Sequence, residues 1–479
     1  MNNSPKDIFQ KFLLCFVIIT GCCVSGYVFF HVEPGAFHEL WILPIFYVIV
    51  QGWIIKKYLF KNASFFLWSF FIISSFRYLI LPFLIVLANY YDGRALVIPK
   101  HESVVFAIRL MCYELCIYGL LISFLEARSK NHARIILSKD FVFTNNYTIY
   151  LIFIFISMIS LFIVPRTSLA FGFFTPKYRS MNSFTRSLSM IEVMAIYCLF
   201  VSKYLILFIG ISFLHSLWVA NNKSRVIRFM VFLWVLINLS IVFGTNRSDY
   251  LLPSVASLLF YAFVFKDFSL GKLFVSFLLI LFVFISLTKN REYASYSRNQ
   301  SSLVDLTDSV SCYCGGPYNV AMAIEVLDNY PEVRNFKRLI FDVFRPMIGP
   351  NIFLRNSKIL LSNYYFNDRI WRGGHFSQIL PMIGQGYIYF GTLLSPLLGC
   401  LVILLAYKLE NFIAKSNSPE CFLFVSFSLI RFGFLMGQNI NNIVNDLSMN
   451  LFLFFVLYLV NILYSSRRIH NLFLTQNCY

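Results

Sequence analysis

Apolar runs of near-membrane length follow one another along most of this chain. A membrane helix needs roughly 20 mostly apolar residues, and about twelve stretches approach that. They fall at 12–30, 40–55, 64–89, 103–125, 147–164, 191–218, 226–244, 250–265, 273–288, 384–407, 421–438 and 447–464. The run at 12–30 is too long for the core of a secretory signal and is read as a retained helix. The series is interrupted once, by the polar, arginine-rich segment 289–383. A long segment without a strong period is uncommon inside a compact domain and is usually functional or disordered. The expected organisation is therefore 1–288 as nine helices with short loops, 289–383 as one large loop, and 384–479 as three helices and a tail. Within the loop, 333–344 places Val333, Phe336, Leu339, Ile340 and Val343 at helical intervals, the pattern of an amphipathic interfacial helix. Arg345-Pro346 and Gly349-Pro350 should end it.

Composition agrees with the pattern. Of 479 residues, 58% are hydrophobic and 13% charged, and Phe occurs 56 times. Soluble domains carry about 25% charged residues. The fold class is an all-α polytopic membrane protein. The net charge of +18 is dispersed among apolar spans, which argues against nucleic-acid recognition. Most cysteines lie inside apolar runs and act there as small hydrophobes. Cys312 and Cys314 have the spacing of neither a zinc site nor an easy disulfide.

Charge in the short connections sets orientation. With the N-terminus cytoplasmic, the inner connections carry Lys56 and Lys57, Arg128 and Arg134, Lys223 and Arg225, Lys266 and Lys272, Lys408 and Lys415, and the tail carries Arg467 and Arg468. Two outer segments oppose the rule. Residues 165–190 hold Arg166, Lys177, Arg179 and Arg186 without an acid, and 289–383 holds many arginines. Guanidinium groups on that side suit an anionic partner, above all a phosphate or pyrophosphate.

The candidate chemistry follows from these cations. Gly244-Thr-Asn-Arg247 is a very short outer turn, so Arg247 must lie at the mouth of the bundle; it either grips an anion or reaches headgroups. Arg166, Arg179 and Arg186 form a second set, a steering surface for an anionic lipid or a solvated loop. In the large segment stand Arg291, Arg298, Arg345, the aromatics Tyr364 and Trp371, then Arg372 and His375. Aromatic faces can stack on sugar rings or mark a membrane interface. His375 can accept a proton near neutral pH. Ionisable groups inside runs (Arg77, Arg109, Glu114, Lys203, Arg431) are read first as pairs that lock helices together. No nucleotide-binding glycine loop, metal-ligand pattern or serine-nucleophile turn occurs, so neither metal nor cofactor is expected.

The segment His375-Phe-Ser-Gln-Ile-Leu-Pro-Met-Ile-Gly384-Gln385-Gly386-Tyr-Ile-Tyr-Phe-Gly391 resembles the end of the main periplasmic loop in bacterial O-antigen polymerases, the oligosaccharide repeat unit polymerases. Related O-antigen ligases share a His-to-Gly pattern there. Gly244-Thr-Asn-Arg247 resembles the Gly-x-x-Arg turn of these proteins. Gln385 stands where an acidic residue is often found. The resemblance implies a fold similar to lipid-dependent, GT-C-like glycosyltransferases in the bacterial inner membrane, with the active site facing the periplasm. It implies a growing glycan on undecaprenyl pyrophosphate as donor, a lipid-linked repeat unit as acceptor, and a polysaccharide chain-length regulator as a partner. Arg247, Arg291 and Arg372 would then stabilise the leaving pyrophosphate, and His375 would act on the acceptor hydroxyl. Arg166, Arg179, Arg186, Arg298, Arg345, Tyr364, Trp371 and Gln385 would bind substrate. Two other readings remain: an O-antigen ligase with a lipid A core acceptor, and a flippase or transporter for lipid-linked oligosaccharide. The concentration of polar residues in one outer loop favours an enzyme over a transporter.

Overall fold

The computed structural model describes residues 5–60, 64–91, 93, 97–128, 141–143, 146–175, 189–243, 247–290, 301–354, 357–370 and 378–476. Among these, eight helices are long and apolar enough to cross a membrane: Asp7–His31, Ile42–Leu59, Phe65–Leu87, His101–Arg128, Ile191–Ala220, Leu270–Leu287, Leu397–Lys415 and Ile440–Ser465. Thr148–Ile163 and Asp249–Phe265 are shorter apolar helices. The chain is an all-α, multi-pass membrane protein.

By packing, the chain falls into two compact units. One compact unit comprises 1–138, 296–415 and 429–446; the other comprises 139–295, 416–428 and 447–479. In the first unit, apolar runs become helices wherever no residue breaks them. Ser64 caps the start of Phe65–Ser75 by accepting from the Leu67 N–H at 2.9 Å, replacing one of the bonds a helix start lacks.

The apolar stretch 384–407 does not form the single span its composition suggests. The helix Met382–Leu394 is broken at Gly391, whose φ of 72° and ψ of −171° are not helical. A second helix, Leu397–Lys415, then begins. Hydropathy cannot register such a break because both halves are equally apolar. Glycine supplies it, since only glycine takes a positive φ without steric cost.

Where it is described, the large polar segment is mostly helical rather than irregular. It contains Ser302–Cys314, Pro317–Asn329, Phe336–Phe344, Pro350–Leu354 and Ser362–Ile370. Pro317–Asn329 is a core helix: every residue from Pro317 to Val326 is buried. Tyr318, Met322 and Val326 pack with Phe366, Leu380 and Ile388 in one apolar cluster. The interfacial helix expected over 333–344 begins at Phe336, after a 3-10 turn at Pro331–Val333, and stops at Phe344. No disulfide joins Cys312 and Cys314, and the Cys312 thiol donates to Asp308 at 3.9 Å. Burial pushes the Cys314 thiol up to about 12.

In the second unit, the helix Met190–Ala220 opens with a capping box. Ser189 accepts from the Glu192 N–H at 3.3 Å, and the Glu192 carboxylate accepts from the Ser189 N–H at 2.6 Å. The helix Arg225–Ser240 gives way to a three-residue strand, Ile241–Phe243. This strand pairs antiparallel with Phe171–Phe173.

Candidate functional site

The two-stranded ribbon decides how the second unit arranges its cations. Phe171 is opposite Phe243 and Phe173 opposite Ile241. The rings of Phe171 and Phe243 lie 5.1 Å apart. The 3-10 helix Pro165–Ala170 runs into the first strand at the end where the second strand finishes, at Phe243. Arg166 sits on that 3-10 helix, and Arg247 is the first residue of the helix Arg247–Phe265. Two segments some seventy positions apart in sequence are thus brought to one end of one ribbon. Arg166 is half-buried and lies within electrostatic reach of Glu192. Beneath the ribbon, the Lys203 ammonium donates to the Ile241 carbonyl at 2.6 Å, and the Asn238 amide donates to the Lys203 carbonyl at 3.1 Å. These bonds fix the point where helix becomes strand.

In the first unit, the polar segment is organised around Asp342, which is fully buried. Its carboxylate accepts from the Ser362 N–H at 3.0 Å, the Ser362 hydroxyl at 2.5 Å, the Gln385 amide at 2.9 Å and the Tyr389 hydroxyl at 2.6 Å. The Asn441 amide donates to the Asp342 backbone carbonyl at 2.9 Å. Among the described residues, no Lys, Arg or His pairs with this carboxylate. Neutral donors from three other segments satisfy it instead, as burial requires. Its place at the start of Ser362–Ile370 also suits the helix dipole.

Around this hub, side chains tie backbone segments together. Asn367 accepts from the Gln378 N–H at 3.0 Å and donates to the Gln378 carbonyl at 2.9 Å. Asn363 accepts from the Leu380 N–H at 2.8 Å. Gln378 is the first described residue after 371–377, so these bonds fix where the chain returns to the core.

The Gly384-Gln385-Gly386 motif is explained by packing. A Cβ on Gly384 would lie 2.4 Å from that of Ala323, and one on Gly386 would lie 1.9 Å from the Ser395 carbonyl oxygen. Gln385 is fully buried, and its amide is engaged on both sides. Its oxygen accepts from the Ile440 N–H at 2.8 Å, while its nitrogen reaches Asp342, Ser362 and Asn441. This occupancy makes it a tie between segments.

Charged groups line the rest of the segment. Arg369 pairs with the buried Glu325, whose other oxygen accepts from the Lys100 N–H at 2.6 Å. Tyr330 donates to Asp368, and this bond holds the Tyr330 hydroxyl proton up to about 12. Arg338 donates to the Tyr365 hydroxyl at 3.0 Å, with its guanidinium 4.6 Å from that ring's centroid. Arg345 lies 5.3 Å from the centroid of Phe341, and Tyr364 is partly exposed with its ring edge-on to Tyr365.

Of the residues proposed from sequence, Arg166, Arg345, Tyr364 and Gln385 are described with their side chains, and Arg247 by its backbone only. Arg179, Arg186, Arg291, Arg298, Trp371, Arg372 and His375 lie outside the described residues. Sequence reasoning missed Asp342, Ser362, Tyr389 and Asn441. The available signal was a lone acid among the apolar residues of Phe336–Phe344, followed by closely spaced Asn and Gln residues. Among the described residues, no three His, Cys, Asp or Glu side chains group as metal ligands. No protein-family model, no curated protein and no solved structure matches the chain.

Proposed function

We propose that the protein is a glycosyltransferase of the O-antigen polymerase type, acting at the outer face of a bacterial inner membrane. It would move a growing glycan from undecaprenyl pyrophosphate to a lipid-linked repeat unit. One observation supports this reading above the others: the ribbon Phe171–Phe173 with Ile241–Phe243 sets the Arg166 helix beside the strand end at Phe243, four residues before Arg247. Two cationic segments converging at the ends of apolar helices suit a diphosphate at the membrane boundary.

The chemistry needs little else. The acceptor hydroxyl attacks the anomeric carbon, its proton passes to a base such as His375, and the carrier pyrophosphate leaves with the bonding pair. Arg247, with Arg291 and Arg372 from the large segment, would stabilise the charge that develops on the leaving group. In this scheme Asp342 and Gln385 serve as supports that hold the ends of the segment in place.

The test is the glycan banding pattern of a deletion strain carrying either the wild-type gene or Arg247→Ala. Wild type should restore long polymer. The variant should leave single repeats while the protein still accumulates in the membrane. Long polymer from Arg247→Ala would remove that residue from the site, and loss of all attached O-antigen in the deletion would point to a ligase instead.

A further inference from the structure

Outside the candidate spans, residues 336–360 expose large apolar side chains in one place. Phe336, Ile340 and Phe344 are spaced by four on one helix and are 71%, 42% and 42% exposed, so they share a face. Ile352 and Phe353, on the adjacent helix Pro350–Leu354, are 53% and 84% exposed. The other side of the first helix presents Phe341 and Asp342 to the core. Water-facing surfaces rarely gather this much apolar area without a partner.

We propose that this face docks into the headgroup–acyl boundary of a lipid bilayer rich in anionic phospholipid. Its position supports that choice. The Asp342 carbonyl accepts from Asn441, and Ile440 donates to Gln385, which itself donates to Asp342. Ile440 and Asn441 are the first residues of the candidate span Ile440–Ser465. The helix is therefore pinned where a span begins, the level at which an amphipathic helix lies in a membrane. Charge supports it as well. Between 334 and 360 the sequence holds Arg334, Lys337, Arg338, Arg345, Arg355 and Lys358 against one acid, the buried Asp342. Exposed Lys337 and Lys358 flank the apolar face, as a surface reading anionic headgroups requires. A protein partner would have to be both apolar and acidic.

This surface stands apart from the sugar-transfer reading, and its test does not use that activity. Full-length protein carrying a photoreactive benzoylphenylalanine at 353, or in a second preparation at 336, is reconstituted in vesicles of phosphatidylethanolamine and phosphatidylglycerol. It is then irradiated and analysed by mass spectrometry. Lipid adducts should form at both positions but not at 341, where Phe341 is 3% exposed. Phosphatidylglycerol adducts should fall about fivefold in Lys337→Gln, by the strength of one basic side chain near an anionic surface. Adducts to a second copy of the chain, or an absence of lipid adducts at both 353 and 336, would overturn the proposal.

Discussion

Glu114 and Asp342 are both carboxylates without solvent exposure in the same compact unit, yet they are stabilised by opposite means. Glu114 lies within the span His101–Arg128 and faces Arg77 of the span Phe65–Leu87 at 2.9 Å, each side chain 0% exposed. Tyr78 donates to it at 3.3 Å. Asp342 lies outside the spans and is held by hydroxyls, amides and a backbone N–H. In the apolar run a charge is balanced by a charge, with a tyrosine hydroxyl beside it. Around Asp342, hydroxyls, amides and a backbone N–H are within reach, and the carboxylate collects them from several elements. The pair locks two helices together, whereas Asp342 joins four segments of chain.

The largest effect should come from splitting the pair. Arg77→Met leaves a buried, uncompensated carboxylate and should cost about 3–5 kcal/mol, read by denaturant unfolding in detergent. Adding Glu114→Leu should recover most of that loss, because an apolar pair of similar volume is often tolerated where an ion pair stood. A double variant as unstable as the single one would mean that the two groups do more than compensate each other.

Asp342 should behave differently. Asp342→Asn turns one acceptor into a donor facing Ser362, Gln385 and Tyr389, at about 2 kcal/mol. Here a companion change should not rescue, because the remaining donors come from separate elements. Full rescue by Gln385→Leu would reduce the hub to a simple pair and erase the contrast. Gly386→Ala acts on the same junction through packing. Its Cβ would meet the Ser395 carbonyl at 1.9 Å, and overpacking of this kind costs about 1–3 kcal/mol. Gly26→Ala, where a Cβ meets nothing within 4 Å, is the matched control for a thermal-shift assay.

The same contrast explains what the sequence could reveal. Long apolar runs are legible because a membrane helix satisfies its own backbone, so 12–30, 64–89 and 103–125 reappear as Asp7–His31, Phe65–Leu87 and His101–Arg128. Charge pairing inside the runs was legible for Arg77 and Arg431 but not for Lys203, which meets a backbone carbonyl, and the partners were not legible. Arg109 reaches Glu39 rather than Glu114, through two bonds of 2.9 and 2.5 Å, and lowers the Glu39 pKa by hydrogen bonding. Such partners depend on how helices are rotated, which hydropathy does not encode. The core helix Pro317–Asn329 was hidden because its apolar residues are too few to stand out beside membrane runs. The ribbon joining the Arg166 and Arg247 segments was hidden for another reason: three-residue strands carry almost no pattern, and their register links distant parts of the chain.

The smallest effect belongs to Arg334, and it tests whether the break at Gly391 is built in. A continuing helix would bond the Tyr387 and Ile388 carbonyls to N–H groups four residues on. At Gly391 the chain leaves the helical path, which turns the N–H of residue 392 away from the Ile388 carbonyl. The Arg334 guanidinium donates at this point, to the Ile388 carbonyl at 2.9 Å and to the Tyr387 carbonyl at 3.3 Å, where a cation also suits the helix end. Arg334→Met should therefore cost about 1 kcal/mol, with Arg334→Lys intermediate because an ammonium lacks the planar fork. Gly391→Ala alone should destabilise by strain at its positive φ. If the cap exists to serve the break, the two changes should not be additive in a double-mutant cycle. Strict additivity would show that Arg334 holds this helix end whether or not the chain turns at Gly391.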